Sequence, residues 1–293
     1  MSFAVNTVKP KFRYLSAWFC PFAHRATLAL SHHSDCIDYE WVEALGWERR
    51  PDTNQVTGQA HEWWYHWKSP ELIRANPSAL VPTLIPMLDS KGNDQPQPDE
   101  SKAVYESLVT VDFIDAISGA KGTQRLVPED PYEMARCRVW IEKVNRELCS
   151  PYYGVLVRKE EQERKEHFDQ LIKGLKAFSK ELSKTSGPTF LNNGQLSNVD
   201  IALIPWAYRY YVFEHYRGPD YAIHTDRYPE LKPYQEWYDY VMELDSVKRT
   251  LPDKSKYLEH IGKYADSSAR SKVANAVRRG VAAHELDDEK DEY

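Results

Sequence analysis

The run Ala17-Trp18-Phe19-Cys20-Pro21-Phe22-Ala23-His24-Arg25-Ala26 places a cysteine where a β-prone segment gives way to a helical pattern. Proline suits the first position of a helix, because its missing N–H would be unpaired there and its fixed φ already matches. Cys20 therefore falls at the cap, facing unpaired N–H groups and the positive end of the helix dipole, both of which favour an anion. A thiol so placed has a pKa below its ordinary value of roughly 8.5 and is thiolate in part at neutral pH. Most unpaired cysteines instead behave as small buried hydrophobes. The rest of the chain decides between the two readings.

Upstream, Lys11 to Ala17 alternates apolar and polar residues and reads as a strand. Downstream, Ala23, Ala26 and Leu30 form a helical stripe ending near His32-His33, which reads as a solvated helix end. Ile37 to Val42 alternates again, so strand, helix and strand make a βαβ unit with a parallel pair. Residues 43–67 combine Gly46, Pro51 and Asp52-Thr53-Asn54 with Trp47, Trp63, Trp64 and Trp67. That mixture predicts an ordered surface excursion packed by its own aromatics. His61 and His66, five apart, lack metal-ligand spacing.

A short helix is expected from Ser69-Pro70-Glu71 to Arg74, followed by Asn76-Pro77-Ser78-Ala79-Leu80-Val81-Pro82 ahead of a β-prone run. A cis proline at a tight turn would point the Val81 backbone outward to pair with an extended ligand, whereas a trans proline would only open an edge strand. Glu100-Ser101 is read as opening the stripe Val104, Leu108, Val111, with Ser101 capping a helix that runs to about Ile117 and could receive a carboxylate. Residues 118–130 are linker-like. Beyond them three helices are expected, residues 131–148, 158–184 and 200–216, broken at Ser150-Pro151, Ser186-Gly187-Pro188 and Gly218-Pro219. Ser197 with Asp200 has the form of a capping box, a folding device. Residues 229–244 give another helix, and Ala269, Val273, Ala276 and Val277 stripe a last one stopped by Gly280. Its Arg270, Lys272, Arg278 and Arg279 read as a solvated face.

The 293 residues, 42% of them hydrophobic, suffice for two cores without disulfides. Cys20, Cys36, Cys137 and Cys149 form neither a CxxC pair nor a metal-ligand pattern, so no metal is expected and a reducing, cytoplasmic setting is. No run approaches the roughly 18 apolar residues of a membrane span, and a net charge of −6 argues against nucleic-acid binding. The aromatic excess suits a pocket for flat molecules, for which Tyr152, Tyr153, Trp206 and Tyr210 are candidates.

Cys20-Pro21-Phe22-Ala23, then Asn76-Pro77 with Leu80-Val81-Pro82, then Glu100-Ser101, all ahead of an all-α segment, make residues 12–248 similar to the cytosolic glutathione transferases. The Cys-Pro-Phe-Ala stretch resembles their omega class in its fungal form. The resemblance implies an α/β plus all-α fold: a thioredoxin-like N-terminal domain over residues 1–117, a linker over 118–130, an all-α domain over 131–264, and a final helix with an acidic tail over 265–293. It implies a homodimer with glutathione as co-substrate. It also implies Cys20 as the catalytic residue, with Phe22 beside it. Val81 and a cis Pro82 would meet the cysteinyl backbone of glutathione and Lys68 a ligand carboxylate. Glu100 would meet the α-amino group and Ser101 the α-carboxylate of the γ-glutamyl end. Because Cys20 stands where other classes carry a Tyr or Ser hydroxyl, thiol transfer and reduction are favoured over conjugation. The aromatic insertion, His24-Arg25 and Gly46-Trp47 also resemble the glutathionyl-hydroquinone reductases of the xi class, although those usually carry Trp where Phe22 stands. Ligandin-type binding of flat hydrophobic molecules is the reading from a different class.

Overall fold

The computed structural model describes residues 9–53, 60–88, 96–120, 122–184, 187–191 and 194–286. Its packing divides the chain into two units: one holds the chain up to Leu45 with Lys68–Arg125, the other Gly46–Trp67 with the chain from Leu126. The loop at 89–95, most of the acidic tail and the His61 side chain lie outside the described residues.

In the first unit the alternating run becomes β1 (Lys11–Ser16), which buries Phe12, Tyr14 and Leu15. Helix α1 (Pro21–His32) buries Ala23, Ala26 and Leu30 as their spacing predicts. Strand β2 (Asp38–Glu43) lies parallel to β1, with Tyr14 opposite Trp41. The chain then makes a two-stranded excursion, β3 (Leu45–Thr53) and β4 (Ala60–Lys68), and returns in α2 (Pro70–Ala75). Strand β5 (Thr83–Leu88) runs antiparallel to β1; β6 (Gln97–Pro98) and β7 (Val104–Tyr105) both pair antiparallel with β5. Helix α3 (Ser107–Ile117) packs on α1. The sheet order β2-β1-β5-β6 is mixed, with one parallel pair.

His33 departs from expectation. It is buried, its Nε2 lies 3.0 Å from Asp115 on α3, and the other Asp115 oxygen accepts from Arg125 Nε at 2.9 Å. A partner 82 residues away makes an interior position tolerable for the ring, and nothing near His33 in the chain announces it.

The second unit is helical apart from the excursion. Helix α4 (Pro131–Lys143) continues through a π turn, Val144–Cys149, into α5 (Ser150–Val157), so the expected break at Ser150-Pro151 is absent. The wider turn resets the register, and Pro151 falls in the first turn of α5, where a missing N–H costs little. There follow α6 (Glu161–Leu182), α7 (Asn198–Ala207), α8 (Tyr211–Arg217), α9 (Lys232–Glu243), α10 (Asp245–Lys248), α11 (Lys254–Ala265) and α12 (Lys272–Arg278). Helix α7 is buried along its whole length. Its capping box forms, and the Asp200 carboxylate also accepts from Phe190 N–H at 3.2 Å and Trp237 Nε1 at 2.7 Å. Among the described residues no helix is long and apolar enough to cross a membrane.

The excursion is an aromatic hairpin held by the C-terminal region as well as by its own rings. Trp64 N–H donates to Ser268 at 3.1 Å and Trp64 C=O accepts from Arg270 N–H at 2.7 Å, forming a parallel bridge at Ala269. Trp47 Nε1 donates to His260 Nδ1 at 2.9 Å. Of the expected solvated face, Arg279 is exposed, whereas Lys272 is buried and Arg270 and Arg278 are partly buried. Arg270 lies 3.6 Å over the Trp63 ring, and Arg278 donates to Ala269 O at 2.6 Å. Burial, then the Arg270 charge, push Arg278 down to about 10. Gly46 has no room for a side chain, since a Cβ there would lie 2.5 Å from the Trp67 indole.

Candidate active site at the start of helix α1

Cys20 is the N-cap of α1 in extended backbone (φ −73°, ψ 118°), with Pro21 at the first helical position. Its N–H donates to Ala17 O at 3.0 Å and its C=O accepts from His24 N–H at 2.9 Å, so the turn itself fixes the backbone. Its side chain makes no capping bond and is partly exposed. None of the four cysteines forms a disulfide. Glu43, at the end of β2, anchors the approach: one carboxylate oxygen accepts from Trp18 N–H and the other from the Trp41 indole, each at 3.1 Å. Beneath α1, the Tyr14 hydroxyl donates to Ala23 O at 2.6 Å. Burial pushes its phenol far above the ordinary value, so Tyr14 is a neutral support. Phe22 is partly exposed and lies 5.6 Å from the Arg25 guanidinium.

The Val81–Pro82 peptide is cis. Asn76 holds the turn before it, donating from Nδ2 to Leu80 O at 2.9 Å and to Thr83 Oγ1 at 3.0 Å. Among the described residues the Val81 N–H and C=O have no hydrogen-bond partner, although Thr83 onward is paired with β1 and β7. Lys68 ends β4 and is partly buried, one residue before Ser69, the α2 cap.

Glu100 and Ser101 do not open a helix of any length; they lie in a three-residue 3₁₀ turn. Glu100 is paired with Arg74 at 2.7 Å, which holds its carboxyl below the usual range, and the Ser101 hydroxyl donates to Asp99 at 2.5 Å. The helix starts six residues later, at a second Glu-Ser pair. Glu106, in the left-handed region at φ 70°, is the α3 N-cap and makes no side-chain capping bond; Ser107 is the first helical residue. Ser107 Oγ accepts from Arg25 Nη1 at 3.1 Å, and both residues are buried. That leaves the hydroxyl proton and the first-turn N–H groups of an eleven-residue helix able to face an anion, over a buried guanidinium. The Glu106 carboxylate is exposed and has no ion-pair partner among the described residues. The sequence by itself does not separate this pair from Glu100-Ser101, because the strand between them is only two residues long. Val104-Tyr105 is a β-prone step, and the buried positions Thr110, Val111 and Ile114 are in phase with a start at Ser107.

Tyr152, Tyr153, Trp206 and Tyr210, expected to line a site for flat molecules, are core residues of the helical unit. Tyr152 and Trp206 are fully buried, and Tyr153 and Tyr210 nearly so. Two of the hydroxyls are spent internally: Tyr152 bonds Tyr257 at 3.1 Å and Tyr210 donates to Leu148 O at 3.1 Å. Among the described residues no group of three or more His, Cys, Asp or Glu is placed to hold a metal ion.

A mixed-sheet thioredoxin-like unit whose first helix starts at a cysteine, followed in the chain by an all-helical unit, is the glutathione transferase fold. Residues 19–117 match the family of the glutathione S-transferase N-terminal domain and residues 130–245 that of the C-terminal domain. Glutathione S-transferase U27 of Arabidopsis thaliana is 27% identical over 249 residues, spanning 84% of this chain and 91% of that one. Glutathione transferase Omega 3C of Trametes versicolor superposes with a TM-score of 0.63 at 26% identity, covering 89% and 92% of the two chains. Rice GST1 in complex with glutathione shares the fold, with a TM-score of 0.66 at 21% identity, covering 89% and 99%. The chain belongs to the glutathione S-transferase family.

Proposed function

We propose that the chain is an omega-like, glutathione-dependent thiol transferase acting through Cys20. The observation that carries this reading is a partly exposed cysteine at the N-cap of α1, unclaimed as a capping group, with Pro21 behind it. A helix start stabilises an anion by roughly 0.3–2 kcal/mol, enough to lower a thiol pKa by about one unit.

Glutathione would lie extended along the first unit. Its cysteinyl backbone would pair with Val81 beside Pro82, and a ligand carboxylate would approach Lys68. The γ-glutamyl carboxylate would meet Ser107 and the first N–H groups of α3, while its α-amino group would meet Glu106; this second Glu-Ser pair takes the role the resemblance gives to such a motif. Phe22 would flank the sulfur. Cys20 thiolate attacks the glutathionyl sulfur of a mixed disulfide, forming a Cys20–glutathione disulfide and releasing the substrate thiolate. A second glutathione thiolate attacks the glutathionyl sulfur of that disulfide, giving oxidised glutathione and restoring Cys20 thiolate. No second enzyme cysteine is needed. A cytoplasmic homodimer acting on small, aromatic substrates is part of the same reading.

The test is glutathione-dependent reduction of hydroxyethyl disulfide by wild type and Cys20→Ser. Loss of at least about a thousandfold is expected on removing a covalent nucleophile, and equal rates would overturn the proposal. The aromatic hairpin favours a second reading, reduction of glutathionyl-hydroquinones. It replaces the first if such a compound turns over rapidly and the disulfide does not.

A further inference from the structure

The helical unit contains a cavity of about 260 Å³ between α5, α6 and the segment that follows α12. Part of its wall, residues 277–285, lies beyond the stretch matched to the family, and neither the reading of Cys20 nor the comparisons give it a role. The hydrogen bond between Ser150 Oγ and His284 Nδ1 ties this segment to the start of α5.

The lining includes the polar side chains of Arg158, His167 and Gln170 and the apolar ones of Pro151, Val277 and Val281. The Arg158 Nε is buried and has no hydrogen-bond acceptor. Its guanidinium has one ion pair among the described residues, Glu163 at 3.6 Å, longer than a hydrogen bond and to a carboxylate that is 44% exposed. Arg146, also at the wall, has a closer partner, Glu147 at 2.8 Å, and Glu285 lies 3.6 Å from His284. Burial, then the Arg158 charge, push His167 below its ordinary value, so its ring is neutral and adds no competing cation. The ring leans directly over Gly154, where a Cβ would stand 2.3 Å from it. Gly280, at φ 95°, carries the chain past Arg158; a Cβ there would lie 3.7 Å from Nη2.

The Arg158 guanidinium lines the cavity with no acceptor at hydrogen-bond distance among the described residues, so a ligand carboxylate there would gain a charge-assisted bond. We propose that this cavity binds a monoanionic organic acid, with its carboxylate on Arg158 and a short apolar body against Pro151, Val277 and Val281. A carboxylate matches the planar fork of a guanidinium, and Pro151, Val277 and Val281 offer carbon to the remainder of the molecule.

The test is calorimetric titration of the full chain with 3-phenylpropanoate and with its neutral isostere 3-phenylpropanamide. The acid binds saturably at one site per chain and the amide at least about tenfold more weakly. Arg158→Met weakens the acid by about the same factor, and Val281→Trp, which fills the cavity, abolishes binding. Cys20→Ser and saturating glutathione leave it unchanged, so failure of the thiol-transferase reading and failure of this one are read separately. Equal binding of acid and amide, binding that survives Val281→Trp, competition by glutathione, or no saturable heat at millimolar acid would each overturn the proposal. If Arg158→Met does not fold, Val281→Trp decides alone.

Discussion

Helix α1 begins behind Cys20, whose side chain makes no capping bond in a partly exposed turn. Helix α7 begins behind Ser197, whose hydroxyl takes the Asp200 N–H while Asp200 returns a bond to the Ser197 N–H, all of it buried. Both are starts with orphan N–H groups and a positive dipole end. In α7 the chain's own side chains consume them, and the start is spent on folding. In α1, and again in α3, the N-cap side chain takes none of them.

The largest difference concerns stability. Asp200→Ala removes the acceptor of Ser197 N–H, Phe190 N–H and the Trp237 indole, and should cost about 3–5 kcal/mol in urea denaturation. Cys20→Ala at the other start should cost under about 1 kcal/mol. Equal costs would erase the contrast between a filled and an open cap.

Ligand affinity sharpens it next. Ser107→Ala should raise the glutathione Kd by about tenfold, and Ser101→Ala, whose hydroxyl already donates to Asp99, by less than about twofold. The reverse ranking would return the binding role to the first Glu-Ser pair.

Rates of Cys20 alkylation against pH should give a lower midpoint in the folded protein than in urea, where the thiol is near its ordinary value of about 8.5. A folded midpoint at or above 8.5 would mean that the open helix start does not act on the thiol.

The smallest effect belongs to a nearly buried carboxylate held by two more exposed cations. Burial pushes the Glu181 carboxyl up, but hydrogen bonds from Lys184 and Arg136 outweigh it and hold the group below its usual value. With the folded pKa below the unfolded one, its stabilisation is present above the ordinary value of 4.5 and is lost as pH falls through the folded value. Glu181→Gln should therefore destabilise by about 1 kcal/mol at pH 7, and the difference from wild type should close in acid. A difference independent of pH would refute the ion-pair account.

The strand, helix and strand from Lys11 to Glu43 were legible because their apolar periods of two and 3.6 lie within a few residues, and so were the Cys20 cap, the Ser197 box and the Val81-Pro82 turn. The two Glu-Ser pairs were not separable in the same way. Each is followed by apolar residues at helical spacing, and β7 between them is only two residues long, too short to show a period. Its pairing with β5 keeps residues 104–105 extended and moves the helix start to Ser107. The burial of the tyrosines at 152, 153 and 210 and of Trp206 was illegible for a related reason, since an aromatic residue fits a core and a pocket equally well until its neighbours are known.

The sequence by itself determined whatever depends on neighbours a few residues apart: which segments extend or coil, and where a proline forces a helix to begin. Tertiary structure alone decided which Glu-Ser pair starts a helix, that His33 would meet Asp115, and that the tryptophan hairpin would pair with residues 268–270. Those outcomes rest on groups far apart in the chain, and a side chain's exposure and charge are settled only when such partners arrive.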